Sequence, residues 1–485
     1  MFYSIFGASS IAPILSFSFG DNISPLLATA ENAAAEADIT MVLGGVLLSL
    51  VAIYTASKAG GEFCQFLDLP PVLGELVGGV VIGISALHLV VFPETGGDAS
   101  SSVIMSFLQA TAGLAPEAAQ TTFETQSEVL EILSELGVII LLFEIGLESN
   151  IRDLLKVGFQ SLVVAIVGVT VPFVAGTAGL MLLFNVPAVP AVFAGAALTA
   201  TSIGITSRVL KEIGCLATKE GQVIIGAAVI DDVLGIIILA VVASLARTGE
   251  VDVTNVIYLI ISASVFLVGA ILLGRFLNDT FVFLAGQFKT RGRAVIPALT
   301  LALILAYVGN AIHLEAILGA FAAGLVLDNL DATEVGRELE ELIRPIADVL
   351  VPIFFVSVGT KTNLSVLNPA IPENREGLII ATFLIVVAIV GKIACGFSVF
   401  GFPGANRLAI GVGMIPRGEV GLVFASVGTA SGALSASLNV AVILMVILTT
   451  FIAPPLLRVV FKAGYLPLDP EEGTLEPQLE AETTG

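Results

Sequence analysis

Ile224-Ile225-Gly226-Ala227-Ala228-Val229-Ile230-Asp231-Asp232-Val233-Leu234-Gly235-Ile236-Ile237 is an apolar run broken only by two adjacent carboxylates. It lies inside a longer apolar segment, 221–246, whose length suits a helix crossing a hydrocarbon core of roughly 30 Å. A charge at the centre of such a helix costs roughly 2.5–3.5 kcal/mol, so two together imply partners and a purpose. Neighbouring helical positions point about 100° apart. Asp231 and Asp232 can therefore face different surroundings, one a wet cavity and the other a protein partner.

The whole chain shares the character of that run. Over 485 residues it is 56% hydrophobic and 13% charged, with a mean hydropathy of +1.02. So little charge cannot cover the surface of a soluble domain, and the expected class is an all-α integral membrane protein. A net charge of −21 excludes nucleic acid as a partner. Many of the acids lie in 94–135 and in Asp469 to Glu482, which read as a solvated loop and tail. Cys64, Cys215 and Cys395, with His88 and His313, show no metal-ligand spacing, and no cofactor is expected.

Thirteen candidate transmembrane helices follow from the apolar segments: 40–58, 70–92, 129–148, 157–184, 189–210, 221–246, 253–275, 294–312, 315–327, 344–360, 377–400, 405–430 and 438–461. With the first running inward, fifteen of the 20 basic residues fall inside. Arg247, Lys361 and Arg375 fall outside, and Lys392 and Arg417 within the membrane. The N-terminus is then outside and the C-terminus cytoplasmic, with the bacterial cytoplasmic membrane, or an internal energy-coupling membrane such as a thylakoid, as the address. Three regions result: 1–39, extracytoplasmic or signal-like, with Ala28-Thr29-Ala30 resembling a cleavage site; 40–461, the membrane domain; and 462–485, an acidic cytoplasmic tail.

Val72 to Gly79 in the second helix echoes Ile317 to Gly324 in the ninth, and Leu142 to Gly146 in the third echoes Phe354 to Gly359 in the tenth. Both pairs are seven helices apart, so the copies run in opposite directions. Inverted repeats are a transporter architecture, with binding expected where they meet. Two segments in corresponding positions look breakable. Thr199-Ala200-Thr201-Ser202 sets hydroxyls ahead of Gly204, and Pro416 sits among Gly411, Gly413 and Gly418. Such hydroxyls offer oxygen ligands to a hard cation. Lys392, mid-way along the eleventh helix, is the available partner for a carboxylate. Arg417 and Glu419 are expected to neutralise helix ends or each other, while Glu75, Glu135 and Glu144 are further acids at membrane depth.

Leu69-Pro70-Pro71-Val72-Leu73-Gly74-Glu75, Thr199 to Ser202, Asp231-Asp232, Lys392 and Pro416-Arg417-Gly418-Glu419, in this order, resemble the monovalent cation:proton antiporter-2 family, nearest its bacterial Na⁺/H⁺ antiporters of the NapA type. The resemblance implies inverted five-helix repeats, two interrupted crossing helices, and a homodimer. It implies a core of helices 4–6 and 11–13, a dimerisation domain of helices 1–3 and 8–10, and helix 7 between them. It implies Asp232 as the carboxylate that binds the transported Na⁺ or a proton, Asp231 paired with Lys392, Thr201 and Ser202 at the unwound crossover, and Pro416, Arg417 and Glu419 in support. Relatives that move K⁺ often carry Gln at the first Asp and a large cytoplasmic nucleotide-binding domain. Asp231 and the short tail favour Na⁺ or Li⁺, with K⁺/H⁺ exchange as the alternative.

Exchange then follows from competition between proton and cation for one buried carboxylate, and a second proton on the Asp231–Lys392 pair would make it electrogenic. Two readings from other classes fit less well. An intramembrane aspartyl protease needs carboxylates facing each other from separate helices, which adjacent residues do not supply. A cation channel builds rings of carbonyls or like charges rather than a self-neutralising Asp–Lys set.

Overall fold

The computed structural model describes residues 39–149, 151–248, 252–287, 292–327, 334–402 and 404–464. Residues 1–38 of the expected signal-like region and 465–485 of the expected tail lie outside these residues, whereas 462–464, expected as tail, continue the last helix. Among the described residues the chain is helical, with seventeen α-helices. Among the described residues, six helices are long and apolar enough to cross a membrane by length and composition.

The first bundle contains α1 (Ile39–Phe66), α2 (Pro71–Ile82), the short α3 (Val103–Thr111), α4 (Pro116–Glu148), α11 (Val295–Ala311), α12 (Ala316–Leu327) and α13 (Glu334–Thr360). The second contains α6 (Gly158–Leu183), α7 (Ala188–Ala196), α8 (Ile203–Glu212), α9 (Lys219–Thr248), α14 (Pro372–Gly396), α15 (Arg407–Gly413), α16 (Glu419–Ala430) and α17 (Ala436–Gly464). Helix α5 (Ile151–Lys156) leads from one to the other, and α10 (Val253–Gln287) packs on α12 and α9.

Four segments depart from the sequence-based expectation. The acidic stretch before Glu135 is helix from Pro116 onward, not loop. Its Ala119, Phe123 and Leu130 are buried while Glu124 and Glu128 point outward, an amphipathic pattern that the charges mask. The second candidate helix stops at Ile82, because Gly83 turns extended and Leu89 and Val90 fold back to the Ile82 carbonyl. The apolar residues beyond it, Val90 to Phe92, pack as core rather than as helix. Helices α10 and α13 also run past their apolar stretches, to Gln287 and back to Glu334.

Without a hydrophobic force between helices in lipid, tight packing relies on small residues. A Cβ on Gly146 of α4 would come within 2.4 Å of the Phe321 carbonyl and 2.9 Å of Gly324 on α12. Gly79 of α2 meets Val356 and Gly359 of α13 in the same way, at 2.2 and 2.8 Å.

Buried apolar clusters divide unevenly along the molecule. One cluster joins both bundles, taking Val138–Leu147 from α4, Ile203–Leu210 from α8, Val223–Val229 from α9 and Ala453–Phe461 from α17. Toward the other end of the same helices, the clusters keep to single bundles: Val242 and Leu438–Val446 pack within the second, Phe123 and Leu130 within the first. Among the described residues, the shared core lies at one end of the bundles.

Gly146→Ala is expected to lower stability by ~1–3 kcal/mol through overpacking against backbone. Thermal unfolding in detergent checks it, with Gly158→Ala, where a Cβ meets nothing within 4 Å, as the control that leaves the midpoint in place.

Candidate functional site

Helix α9 carries Asp231 and Asp232 to the centre of the second bundle, where they are 0% and 3% exposed. Lys392, on α14, is fully buried too, and its Nζ lies 3.2 Å from Asp231 Oδ2. A buried charge without a partner is costly, so the two side chains sustain each other in the membrane interior. Cys395, one turn on, donates its Sγ–H to the Lys392 carbonyl at 2.8 Å.

Beside this pair two helices break. Residues 197–202 separate α7 from α8, and residues 414–418 separate α15 from α16. Each break orphans backbone groups that cannot be left unpaired in a dry interior. The breaks cross and satisfy each other. The Ser202 N–H donates to the Pro416 carbonyl at 2.8 Å, and the Thr201 hydroxyl to the Met414 carbonyl at 3.2 Å. The Thr206 hydroxyl donates to the Gly413 carbonyl at 2.9 Å. In return Arg417, fully buried, donates from Nη1 to the Thr199 carbonyl at 2.9 Å and also to the Ala200 carbonyl. The Arg417 carbonyl itself accepts from the Thr450 hydroxyl of α17.

A narrow crevice, too tight to hold a water molecule, lies at the crossing, lined by Ala200, Thr201, Ser202, Asp232, Gly418 and Val420. Two helix N-termini converge on it: Ser202 caps α8 through its Oγ, and Gly418 precedes α16. Gly418 has to be small there, since a Cβ would come within 2.7 Å of Ser202 Oγ. Converging N-termini favour a carboxylate, and the hydroxyl oxygens of Thr201 and Ser202 stand beside it on the same wall. Asp232 thus faces an oxygen-lined crevice while Asp231 turns to Lys392.

The remaining candidates fall elsewhere. Pro416 contributes its carbonyl to the crossing, and the side chain of Glu419 lies outside what the structure describes. Glu75, on α2, accepts from the Ser57 hydroxyl at 3.3 Å, within the first bundle. Glu144, on α4, pairs with Lys211 of α8 at 2.6 Å, and Glu135 is exposed. Sequence reading singles out neither Thr206 nor Thr450, which tie the crossing together, nor Lys211. The first two lack a signal, because membrane helices use many hydroxyls to bond their own backbone. Lys211 is visible only as one of many basic residues on one side.

The transmembrane sodium/hydrogen exchanger family model matches residues 39–463. The chain is 59% identical over 453 residues to the high-affinity Na⁺/H⁺ antiporter NhaS3 of Synechocystis sp., covering 93% of this chain and 97% of that one. It is 33% identical over 419 residues to the Na⁺/H⁺-K⁺ antiporter GerN of Bacillus cereus, covering 85% and 96%. In fold it is similar to the sodium proton antiporter MjNhaP1 of Methanocaldococcus jannaschii, with a TM-score of 0.60 at 17% identity, covering 88% and 97%.

Arg417→Met orphans two carbonyls at once and is expected to cost ~2–4 kcal/mol, against ~1 kcal/mol for Thr450→Val, which removes one donor. Thermal midpoints in detergent decide it: a loss for Arg417→Met no larger than that for Thr450→Val would remove Arg417 from the capping role.

Proposed function

The chain belongs to the sodium/hydrogen exchanger family, and on that footing we propose that it exchanges Na⁺ for protons at Asp232 by alternating access. The observation that carries the site assignment is the buried Asp232 on the wall of an oxygen-lined crevice, between the ends of two broken helices. The relative at 59% identity, a high-affinity Na⁺/H⁺ antiporter, supports Na⁺ as the cargo over K⁺.

The chemistry follows from the site. A carboxylate in a dry crevice needs a cation of some kind, and either a proton or Na⁺ serves. Na⁺ takes the carboxylate with the oxygens of Thr201 and Ser202; a proton neutralises the carboxylate and leaves no charge to hold the metal. The second bundle moves past the first only with the charge on Asp232 covered, so the two cargoes cross in opposite directions. The Asp231–Lys392 pair holds a second proton on Lys392 while closed and releases it when it opens. Two protons against one Na⁺ make the cycle electrogenic, driven by roughly 2.3 kcal/mol per net charge per 100 mV.

The same reading proposes thirteen transmembrane segments in two inverted repeats. Reciprocal glycine contacts support it: Gly79 meets Gly359, and Gly146 meets Gly324, so each member of one echoing pair packs against a member of the other. The distribution of basic residues supports the end holding Lys211 and Arg458 as the cytoplasmic side of a bacterial membrane. The first bundle is the dimerisation surface of a homodimer.

In proteoliposomes, Asp232→Asn is expected to abolish Na⁺-driven proton movement; unchanged exchange would refute the site. Wild-type vesicles given Na⁺, Li⁺ and K⁺ in turn are expected to move protons with the first two. Lys392→Ala is expected to alter the voltage dependence of exchange, and an unaltered dependence would take Lys392 out of the coupling.

A further inference from the structure

Ion pairs join the two bundles at the end where they share an apolar core. Lys211, in the last turn of α8, reaches Glu144 and Glu148 of α4, with Nζ 2.6 and 2.7 Å from the carboxylate oxygens. The side chains of Lys211 and Glu144 are only 19% and 5% exposed, so water and salt screen the pair little. The next residue, Glu212, accepts the Val72 N–H of α2 at 3.4 Å and holds Arg208 of its own helix at 2.9 Å. A second point of contact lies nearby: Asp68, between α1 and α2, accepts from Arg458 and, at 2.6 Å, from Lys462, both on the last turns of α17. Hydrogen bonding to Lys462 and the charge of Arg458 hold the Asp68 carboxyl below the usual carboxylate range, so it stays ionised at working pH. Toward the opposite end Lys361 pairs with Glu94 and Glu131 inside the first bundle, and Ser437 donates to Glu376 inside the second.

Helix α8 is a ten-residue rod with the proposed cation site at one end and these charges at the other. Its cap, Ser202, lines the crevice with Asp232, while its last turn carries Lys211 and Glu212. A shift of the crossing is therefore delivered directly to the contacts of Lys211. Helix α17 makes a parallel connection, from Thr450 at the Arg417 carbonyl to Arg458 and Lys462 at Asp68.

We propose that Lys211 with Glu144 and Glu148, and Asp68 with Arg458 and Lys462, form a two-point ionic latch between the bundles, which closes this end of the protein and parts before the site opens toward it. The proposal rests on the alternating-access reading above. It makes Lys211 and Asp68 positioning residues: neither touches the cation, and both set which side the site faces.

The test uses the full chain with Cys64, Cys215 and Cys395 replaced by Ser, and Val138→Cys as reporter. Val138 is 6% exposed and lies 3.5 Å from where a Cβ of Gly204 would stand, at the seam between α4 and α8. A membrane-impermeant maleimide is added from the side of Lys211 and Asp68. Labelling is expected to quicken roughly tenfold in Lys211→Gln and about threefold in Asp68→Asn, and to stay at the parent rate in Lys211→Arg. Parent-rate labelling in both neutralised variants would overturn the latch. A purely structural effect, in which Glu144 is left buried without its cation, predicts that adding Glu144→Gln to Lys211→Gln restores the parent rate. The latch predicts that labelling stays fast, so restoration also overturns it. Should Lys211→Gln fail to fold, Asp68→Asn, whose side chain is 71% exposed, decides alone. Labelling needs no transport, so its outcome is independent of whether Asp232→Asn abolishes exchange.

Discussion

Two stretches of unwound backbone at the middle of a membrane protein must find hydrogen bonds without water. Here they find them in each other. The break at 197–202 gives Ser202 N–H, Thr201 Oγ–H and, from α8, Thr206 Oγ–H to the carbonyls of the break at 414–418 and its preceding helix. That second break answers with the guanidinium of Arg417. An open helix end in an apolar medium costs several kcal/mol for each orphaned group, so neither break is tenable alone. Their mutual satisfaction is the condition for a crevice at this depth.

The placement of charge follows from that condition. Arg417 donates to the Thr199 and Ala200 carbonyls in the break that follows α7, and Asp232 faces the N-termini of α8 and α16, where a helix end carries partial positive charge. Asp231, one residue back, is turned away by the helical rotation and meets Lys392. Adjacent side chains of one type thereby do different work, one in a crevice and one in a closed ion pair.

The same helices that meet at the crossing reach the seam between the bundles. Because α8 and α17 are continuous from the crossing to that seam, the carboxylate and the inter-bundle charges belong to one mechanical unit. Shared apolar packing at one end, and separate packing toward the other, describes a molecule closed on one side of the proposed site.

Membrane class, most apolar segments and the candidate site residues stand out in the sequence because they rest on local features: apolar length, the low tolerance of lipid for charge, and Pro or Gly within a span. Asp231, Asp232, Lys392, Thr201, Ser202, Pro416 and Arg417 all stand out for that reason. The buried face of α4 and the early end of α2 do not, since acids and turn geometry override a reading based on hydropathy. What only the tertiary structure decides is pairing across distance: Lys392 with Asp231, Arg417 with the carbonyls of Thr199 and Ala200, Lys211 with Glu144. Those partners are far apart in the chain, and no local periodicity encodes which carbonyl or carboxylate a long basic side chain will reach once the helices have packed.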